Sequence, residues 1–399
     1  MPPRPSLAVL PFANMTGDPK EDYLVDGLVD EIITALAKMR WFFVIARNTS
    51  FTYKGRDVDV RKVSSDLGVR YVLEGSVRKA GGQIRVTAQL IDCTTGNHIW
   101  AETLTRDAEQ IFELQDWVAE SVAGAIEPKL RGAEIDRARR KPPANLDAYD
   151  YYLRALPFID KGAASDYGAA LGLLEQAVEL DPAYGLAYAA MAGCRERQFL
   201  VGAIRATPEF FAETCALARK AVQLDADDPQ VLSLAALVVA FMERDYDTGL
   251  EWVDTSIRLN PNSATAWSRS AFIRCWVGEF KTATEHFARA IRLSPADPLM
   301  YAYQSGMGSA LMFLRDFPGA INWLRKSISN NQNLSSTHRF LAVALVQSGK
   351  VDEARQVVTD LLAIDPLSSL TRSARYTGYR DATPRQMYLE SLRVAGLPE

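Results

Sequence analysis

"ATAWSRSAFIRCWVGEFKTATEHFARAIRLSP", Ala264 to Pro295, decides the architecture of this 399-residue chain. It closes on AIRLSP, and the same kind of closing segment recurs as AVELDP at Ala177, AVQLDA at Ala221, SIRLNP at Ser256 and LLAIDP at Leu361. From Ser256 to Ala290 is 34 residues. A period of that length marks stacked supersecondary units, none of which can bury its apolar face alone.

Within the stretch, Trp267, Ala271, Gly278, Phe280, Ala283, Phe287, Ala290 and Pro295 stand in a fixed order of large, small, turn, aromatic, small, aromatic, small and proline residues. In this it resembles the tetratricopeptide repeat, a pair of antiparallel helices. The resemblance implies that Ala271, Ala283 and Ala290 lie where two helices approach closely, so that a bulkier side chain would overpack the interface at about 1–3 kcal/mol. It gives Gly278 the turn between the helices, and Pro295 marks the end of the second because proline cannot continue a helix.

The same frame fits other stretches less fully. From Tyr151 it takes in Tyr167, Ala170, Ala177 and Pro182, and from Ser335 it takes in Ala342, Gly349, Ala354 and Pro366. The repeat around Tyr301 keeps Gly308, Phe317 and Ala320 but ends in SNNQN, and the one from Gly185 has Tyr188 and Ala192 followed by an insertion around VGAIRATPEF. About six repeats are expected between Tyr151 and Ser368. The last stretch, TPRQMYLESLRVAGLPE, reads as one more helix, with Thr383 as N-cap, Pro384 in the first turn and Gly396 at the stop. Such a helix would cover the apolar face of the final repeat.

The first part of the chain has a different period. Ser6–Phe12, Phe42–Ala46, Tyr71–Lys79, Ile84–Ile91 and Ile99–Thr105 read as strands. In the fourth, Ile84, Val86, Ala88 and Leu90 alternate with Arg85, Thr87 and Gln89. AGGQ and TTGN read as hairpin turns, and helical patterns occupy about Tyr23–Lys38, Val60–Leu67 and Ile111–Leu130. The order is β-α-β-α-β-β-β-α. With LAVLPF, DGLVDEIITAL, VIARNTSF, YVLEGSVRK and IRVTAQLID, it resembles the TolB N-terminal-like domain. In bacteria that domain often precedes tetratricopeptide repeats, sometimes downstream of a class III adenylate cyclase domain or a winged-helix regulator. The expected fold is therefore an α+β domain with a mixed sheet over residues 1–142, an all-α solenoid over 143–368 and a capping helix segment over 369–399.

Candidate chemistry is sparse. The strand-to-helix segment LAVLPFANMTGDPKEDYLVDGL has one loop glycine, Gly17, and matches neither G-x-x-x-x-G-K-[ST] nor G-x-G-x-x-G. Asp18, Glu21 and Asp22 would repel a phosphate and instead suit the positive end of a helix, so the segment reads as a connection. His98, His286 and His338 have no partner at metal or triad spacing, and G-x-S-x-G is absent. Thr49, Ser50, Tyr53 and Lys54 in TSFTYKGRDVD read as turn formers. Cys93, Cys194, Cys215 and Cys275 are far apart and suit buried free thiols. No cofactor, metal or catalytic residue is expected, and a class III cyclase domain with its two metal-binding aspartates has no place in the chain.

Charge gives no long-range attraction to nucleic acid: the net charge is −4, with 20 Lys+Arg against 20 Asp+Glu in residues 1–142 and 25 against 29 beyond. The run RGAEIDRARRKPP, Arg131–Pro143, is interrupted by Glu134 and Asp136 and reads as a solvated helix end before a Pro-Pro linker. The longest apolar run, LAALVVAFM from Leu234, is about half of what a membrane span needs. MPPRPSLAVLPF lacks the pattern of a signal peptide, so a cytoplasmic location is expected.

Binding by the repeats remains. The resemblance implies a groove lined by the first helix of each repeat, holding an extended or helical partner polypeptide. Its candidate residues are Leu234, Val238, Phe241, Ser268, Phe272, Trp276, Ser305, Met312, Arg339 and Gln347. The Lys/Asn carboxylate clamp of chaperone-binding relatives is missing, and packing between repeats is the competing reading for Phe272 and Trp276. The expected function is non-catalytic protein binding in bacterial signalling. The alternatives are a regulatory component of an adenylate cyclase system or a small-ligand sensor at an interdomain cleft. Homo-oligomerisation stays open.

Overall fold

The computed structural model describes residues 5–56, 59–80, 82–107, 111–142, 146–161, 164–201, 204, 207–295 and 297–399. Gly81 of the AGGQ turn, Pro143 of the basic run and part of the VGAIRATPEF insertion lie outside the described residues. The chain forms two compact units, Met1–Lys141 and Pro142–Glu399.

The first unit is a mixed sheet with helices on both faces. Its strands are β1 (Ser6–Val9), β2 (Ala13–Asn14), β3 (Phe43–Val44), β4 (Tyr71–Ala80), β5 (Gln83–Asp92) and β6 (Asn97–Asp107), in the order β3-β1-β4-β5-β6, with β2 beside β4. β1 runs parallel to β3 and β4, whereas β4, β5 and β6 are antiparallel. Alternation along β1 explains the layers. Leu7 and Val9 share a core with α1 (Asp22–Ala37) and α4 (Ile111–Arg140), while Ala8 and Leu10 pack with Val63 of α3 (Val60–Leu67). Asp59 caps α3 by accepting from the Arg61 N–H, and Gly68 ends it at φ 65°, a left-handed conformation that favours glycine.

Several boundaries differ from the sequence reading. β2 is too short to leave a periodic signal, and ARNTS forms a short helix, α2 (Arg47–Ser50), rather than a strand end and turn. α4 passes Pro128 and continues to Arg140. It is held there by Glu134, whose fully buried carboxylate accepts from Arg70 Nη1 and Tyr71 Oη, both at 2.6 Å, and from Arg137 Nε at 3.0 Å. The basic run is the last part of this helix: Glu134, Ile135 and Ala138 face the core, while Asp136, Arg139 and Arg140 are exposed to solvent.

Among the described residues, the second unit is an α-solenoid of six helical hairpins, tetratricopeptide-like in fold. They are α5 (Ala148–Lys161) with α6 (Ala164–Leu180), α7 (Gly185–Leu200) with α8 (Pro208–Leu224), α9 (Pro229–Met242) with α10 (Tyr246–Leu259), α11 (Ala264–Val277) with α12 (Phe280–Leu293), α13 (Met300–Phe313) with α14 (Phe317–Asn330), and α15 (Ser335–Gln347) with α16 (Val351–Ile364). α17 (Leu370–Tyr376) and α18 (Ala382–Val394) follow. In the α11/α12 hairpin, Ser263 caps α11 by accepting from the Ala266 N–H, and Gly278 ends it at φ 89°. Ala271, Ala283, Phe287 and Ala290 are all 0% exposed. The corresponding turns at Arg244 (φ 62°) and Arg315 (φ 66°) force an arginine into the left-handed region. α18 begins at Ala382, so Asp381 takes the N-cap position and Thr383 lies inside the helix.

Candidate functional site

Two places could do chemical or recognition work. The first is a crevice of about 490 Å³ in the N-terminal unit, beyond the carboxyl end of β1 and against β4, lined in part by Asn14, Asp22, Asp26, Tyr53, Lys54 and Glu74. In open α/β sheets such crevices are where ligands sit. Four of its polar groups, Asn14, Asp22, Asp26 and Lys54, are engaged with each other. Lys54 Nζ donates to Asp26 Oδ1 at 2.8 Å and pairs with Asp22 at 3.5 Å, and the Asp26 hydrogen bond raises the Lys54 pKa. Asn14 Nδ2 donates to Asp22 at 2.7 Å, which lowers the Asp22 pKa. Asp18 accepts from the Lys20 N–H, and Lys79 pairs with Glu21. Each acidic side chain of the loop thus serves as a cap or an ion-pair partner.

The second place is the face of the solenoid lined by the first helices of the hairpins. Six of its ten candidate residues are buried: Val238, Phe241, Ser268, Ser305, Met312 and Arg339. Ser305 Oγ accepts from Thr337 Oγ1 at 2.9 Å, Met312 lies in the core that α13 to α16 share with α18, and Arg339 reaches Ser368 Oγ at 3.3 Å. These six cannot meet a partner unless what covers them moves, which corrects the view of them as an open lining. Leu234, Phe272, Trp276 and Gln347 are half-buried. Phe272 packs edge-on against Phe287 at 5.0 Å, so it serves packing within its hairpin.

Trp276 and Gln347 are covered by the chain's own C-terminal segment. Gln347 Nε2 donates to Ser391 Oγ at 2.9 Å. The Arg380 N–H donates to the Trp276 carbonyl at 2.7 Å, and Gly378 lies so close to the indole that an added Cβ would stand 2.8 Å from its ring. Tyr246 Oη donates to the Gly378 carbonyl at 2.7 Å, Arg244 Nη2 donates to the Arg375 carbonyl at 3.3 Å, and Arg380 Nη2 donates to Asp247 at 2.6 Å. The Tyr379 ring lies 4.8 Å from Phe313, which stacks on Phe280 at 4.7 Å. Sequence reasoning missed Tyr246, Asp247, Phe313 and the segment itself. Three of the joining bonds end on backbone carbonyls, which carry no residue signature.

The remaining reactive residue types are packed. Burial pushes the thiols of Cys93, Cys194, Cys215 and Cys275 up to about 12. His286 Nδ1 lies 3.0 Å from Ser270 Oγ, its ring is edge-on to Trp267, and burial lowers its pKa to about 4. His338 has a ring nitrogen 3.3 Å from the Leu334 carbonyl, and His98 is exposed on β6. Among the described residues no group of His, Cys, Asp and Glu is placed to hold a metal, and no helix is long and apolar enough to cross a membrane.

Residues 4–121 match the family model of the second domain of HilA/YgeH-like transcriptional regulators. A relative from Rhizobium meliloti (strain 1021), named "Putative adenylate cyclase 3", is 42% identical over 244 residues, which is 61% of this chain and 42% of that protein. The chain thus spans less than half the length of that relative. Among solved structures, YrrB, described as a TPR protein with an unusual peptide-binding site, is similar with a TM-score of 0.32 and 20% identity, over 45% of this chain and 90% of that one. TolB from Acinetobacter baumannii is similar with a TM-score of 0.24 and 20% identity, over 32% of this chain and 29% of that one.

Proposed function

We propose that this chain is the non-catalytic, regulatory part of a bacterial signalling protein, and that its helical hairpins bind another polypeptide. The observation that carries the reading is the edge of the array where first helices end and second helices begin, which holds a stretch of polypeptide by hydrogen bonds at the Trp276 carbonyl and Tyr246 Oη and by ring contacts at Phe313. The family match of the N-terminal unit to a regulator domain and the identity with a protein named for adenylate cyclase support a place in signalling. In this reading the cyclase chemistry belongs to a catalytic domain that the hairpins or the α/β unit would control.

Two measurements test it. Purified chain incubated with ATP and Mg²⁺ or Mn²⁺ should form no cyclic nucleotide, and turnover that survives repurification would overturn the non-catalytic reading. The chain should also be co-expressed with the portion of the Rhizobium meliloti relative that lies outside the match, then crosslinked. Crosslinks should map to the α9/α10, α11/α12 and α13/α14 hairpins. Crosslinks confined to the α/β unit, or none, would sink the assignment of binding to the hairpins.

A further inference from the structure

We propose that Thr377–Asp381 is a built-in occupant of the partner site, a latch that a partner segment of the same chemistry displaces. The inference rests on the reading of this turn edge of the hairpins as a polypeptide-binding surface and adds what fills it and what competes. The segment has no regular secondary structure and is bounded by α17 and α18. It reaches residues 132 and 133 positions earlier in the chain. Its contacts fall on three successive hairpins: Tyr246 and Asp247 in the first, Trp276 in the second and Phe313 in the third.

The occupant specifies its own recognition code. Gly378 is absent from the glycines with positive φ, so a turn does not require it. What requires it is the indole face of Trp276, which leaves no room for a Cβ. The next residue, Tyr379, packs its ring on Phe313 and lies 6.3 Å from Tyr388. Burial pushes its hydroxyl well above the usual range. The third, Arg380, joins the Asp247 carboxylate and lies over the Tyr246 ring at 5.0 Å. A competing partner is therefore an extended segment reading glycine, aromatic, arginine.

The anchoring of the latch allows release without loss of the fold. α18 is fixed separately: Tyr388, Leu392, Ala395 and Leu397 sit in a core with Leu341, Leu345 and Val358 of the last hairpin, and the Leu370 N–H donates to the Pro398 carbonyl at 2.7 Å. The Arg380–Asp247 pair that closes the segment is open to water, with side chains 44% and 87% exposed.

The test uses the full chain and a fluorescein-labelled synthetic peptide with the sequence of residues 373–384, read by fluorescence anisotropy. Gly378→Leu should eject the segment from Trp276 while leaving α18 in place. The peptide should then bind this variant about tenfold or more tightly than wild type, whose site is filled at the high effective concentration of a tethered ligand. Arg380→Ala, which introduces no bulk, should shift affinity in the same direction by a smaller factor. Adding Trp276→Ala to Gly378→Leu, or replacing the peptide tyrosine that corresponds to Tyr379 with alanine, should remove the gain. Equal affinity for wild type and a Gly378→Leu variant that keeps its circular dichroism and melting point would overturn the latch, as would absence of binding to both. A wild-type chain that exchanges its tail between copies, seen as a concentration-dependent dimer that Gly378→Leu abolishes, would overturn its intramolecular form. None of these results alters the cyclic-nucleotide or crosslinking outcomes, so the latch can fail while the proposed function stands.

Discussion

Gly306→Ala tests whether the hairpins hold together by close approach of neighbouring helices. Gly306 is in α13, and a Cβ built on it would lie 2.1 Å from Cζ of Phe287 in α12. Carbon atoms rest at about 3.5–4.0 Å, so the added methyl overlaps the ring by about 1.5 Å. The ring has little freedom to yield: Phe287 is 0% exposed, and Phe272 meets it edge-on at 5.0 Å. Relief requires α13 to back away from α12, which opens contacts along both helices. A loss of about 3 kcal/mol is expected, at the upper end for overpacking. Phe287→Leu alone should cost about 1–2 kcal/mol through the cavity it leaves. In the double variant the alanine methyl takes part of the vacated space, giving a favourable coupling of about 2 kcal/mol. Urea unfolding followed by far-ultraviolet circular dichroism reads this as shifts in midpoint at constant slope. A neutral Gly306→Ala, or single effects that add to within about 0.5 kcal/mol in the double variant, would refute the stacking argument.

Three further expectations follow from the same structure. Glu134→Ala removes the common acceptor of Arg70, Tyr71 and Arg137 and should destabilise the N-terminal unit by about 3–5 kcal/mol, with Glu134→Gln costing less; a melting point unchanged by Glu134→Ala would contradict the network. Arg315 holds φ at 66° where Gly278 and Gly349 occupy corresponding turns, so Arg315→Gly should stabilise the solenoid by up to about 1 kcal/mol, and a lowered urea midpoint would count against strain there. His286 is held neutral in the fold, its pKa lowered from 6.5 to about 4 by burial. The unfolded chain therefore takes up its proton first, so this residue's contribution is intact above pH 6.5, declines as pH falls and is lost below about 4. The stability difference between wild type and His286→Gln should shrink across that window; a constant difference would mean that His286 does not titrate as argued.

The hairpin array was legible because its determinants are local. Ala271, Ala283, Phe287 and Ala290 are spaced by the geometry of one hairpin, and each is fully buried. The strand alternation of Ile84, Val86, Ala88 and Leu90 was legible for the same reason, since pleating puts every second residue on one face and all four are buried. The extension of α4 was hidden by Pro128 and a run of arginines, both ordinary signs of a helix end. What overrides them is Glu134, whose partners Arg70 and Tyr71 lie 64 and 63 residues away. The candidate lining was drawn from helix position alone, which cannot see that neighbouring first helices and the C-terminal segment bury Phe241, Met312 and Arg339. The crevice beside β4 was equally invisible, because it is bounded by residues from Leu10 to Gln89 that only the sheet brings together.

A stack of helical hairpins ordinarily couples each unit only to its neighbours. The C-terminal segment departs from that rule, since Arg380 and Gly378 tie the far end of the array to the α9/α10 and α11/α12 hairpins across more than 130 residues of α9–α18. The strength of that tie is divided unequally. An ion pair as open to water as Arg380–Asp247 contributes about 0–1 kcal/mol. The apolar packing of Tyr379 on Phe313 and of Gly378 on Trp276 supplies more of the hold. A competitor that brings its own aromatic ring can replace the larger part, and its own arginine the smaller. Only a segment with glycine-sized width at the indole can do both, so specificity arises from the shape of Trp276 while affinity arises from the ring that follows it.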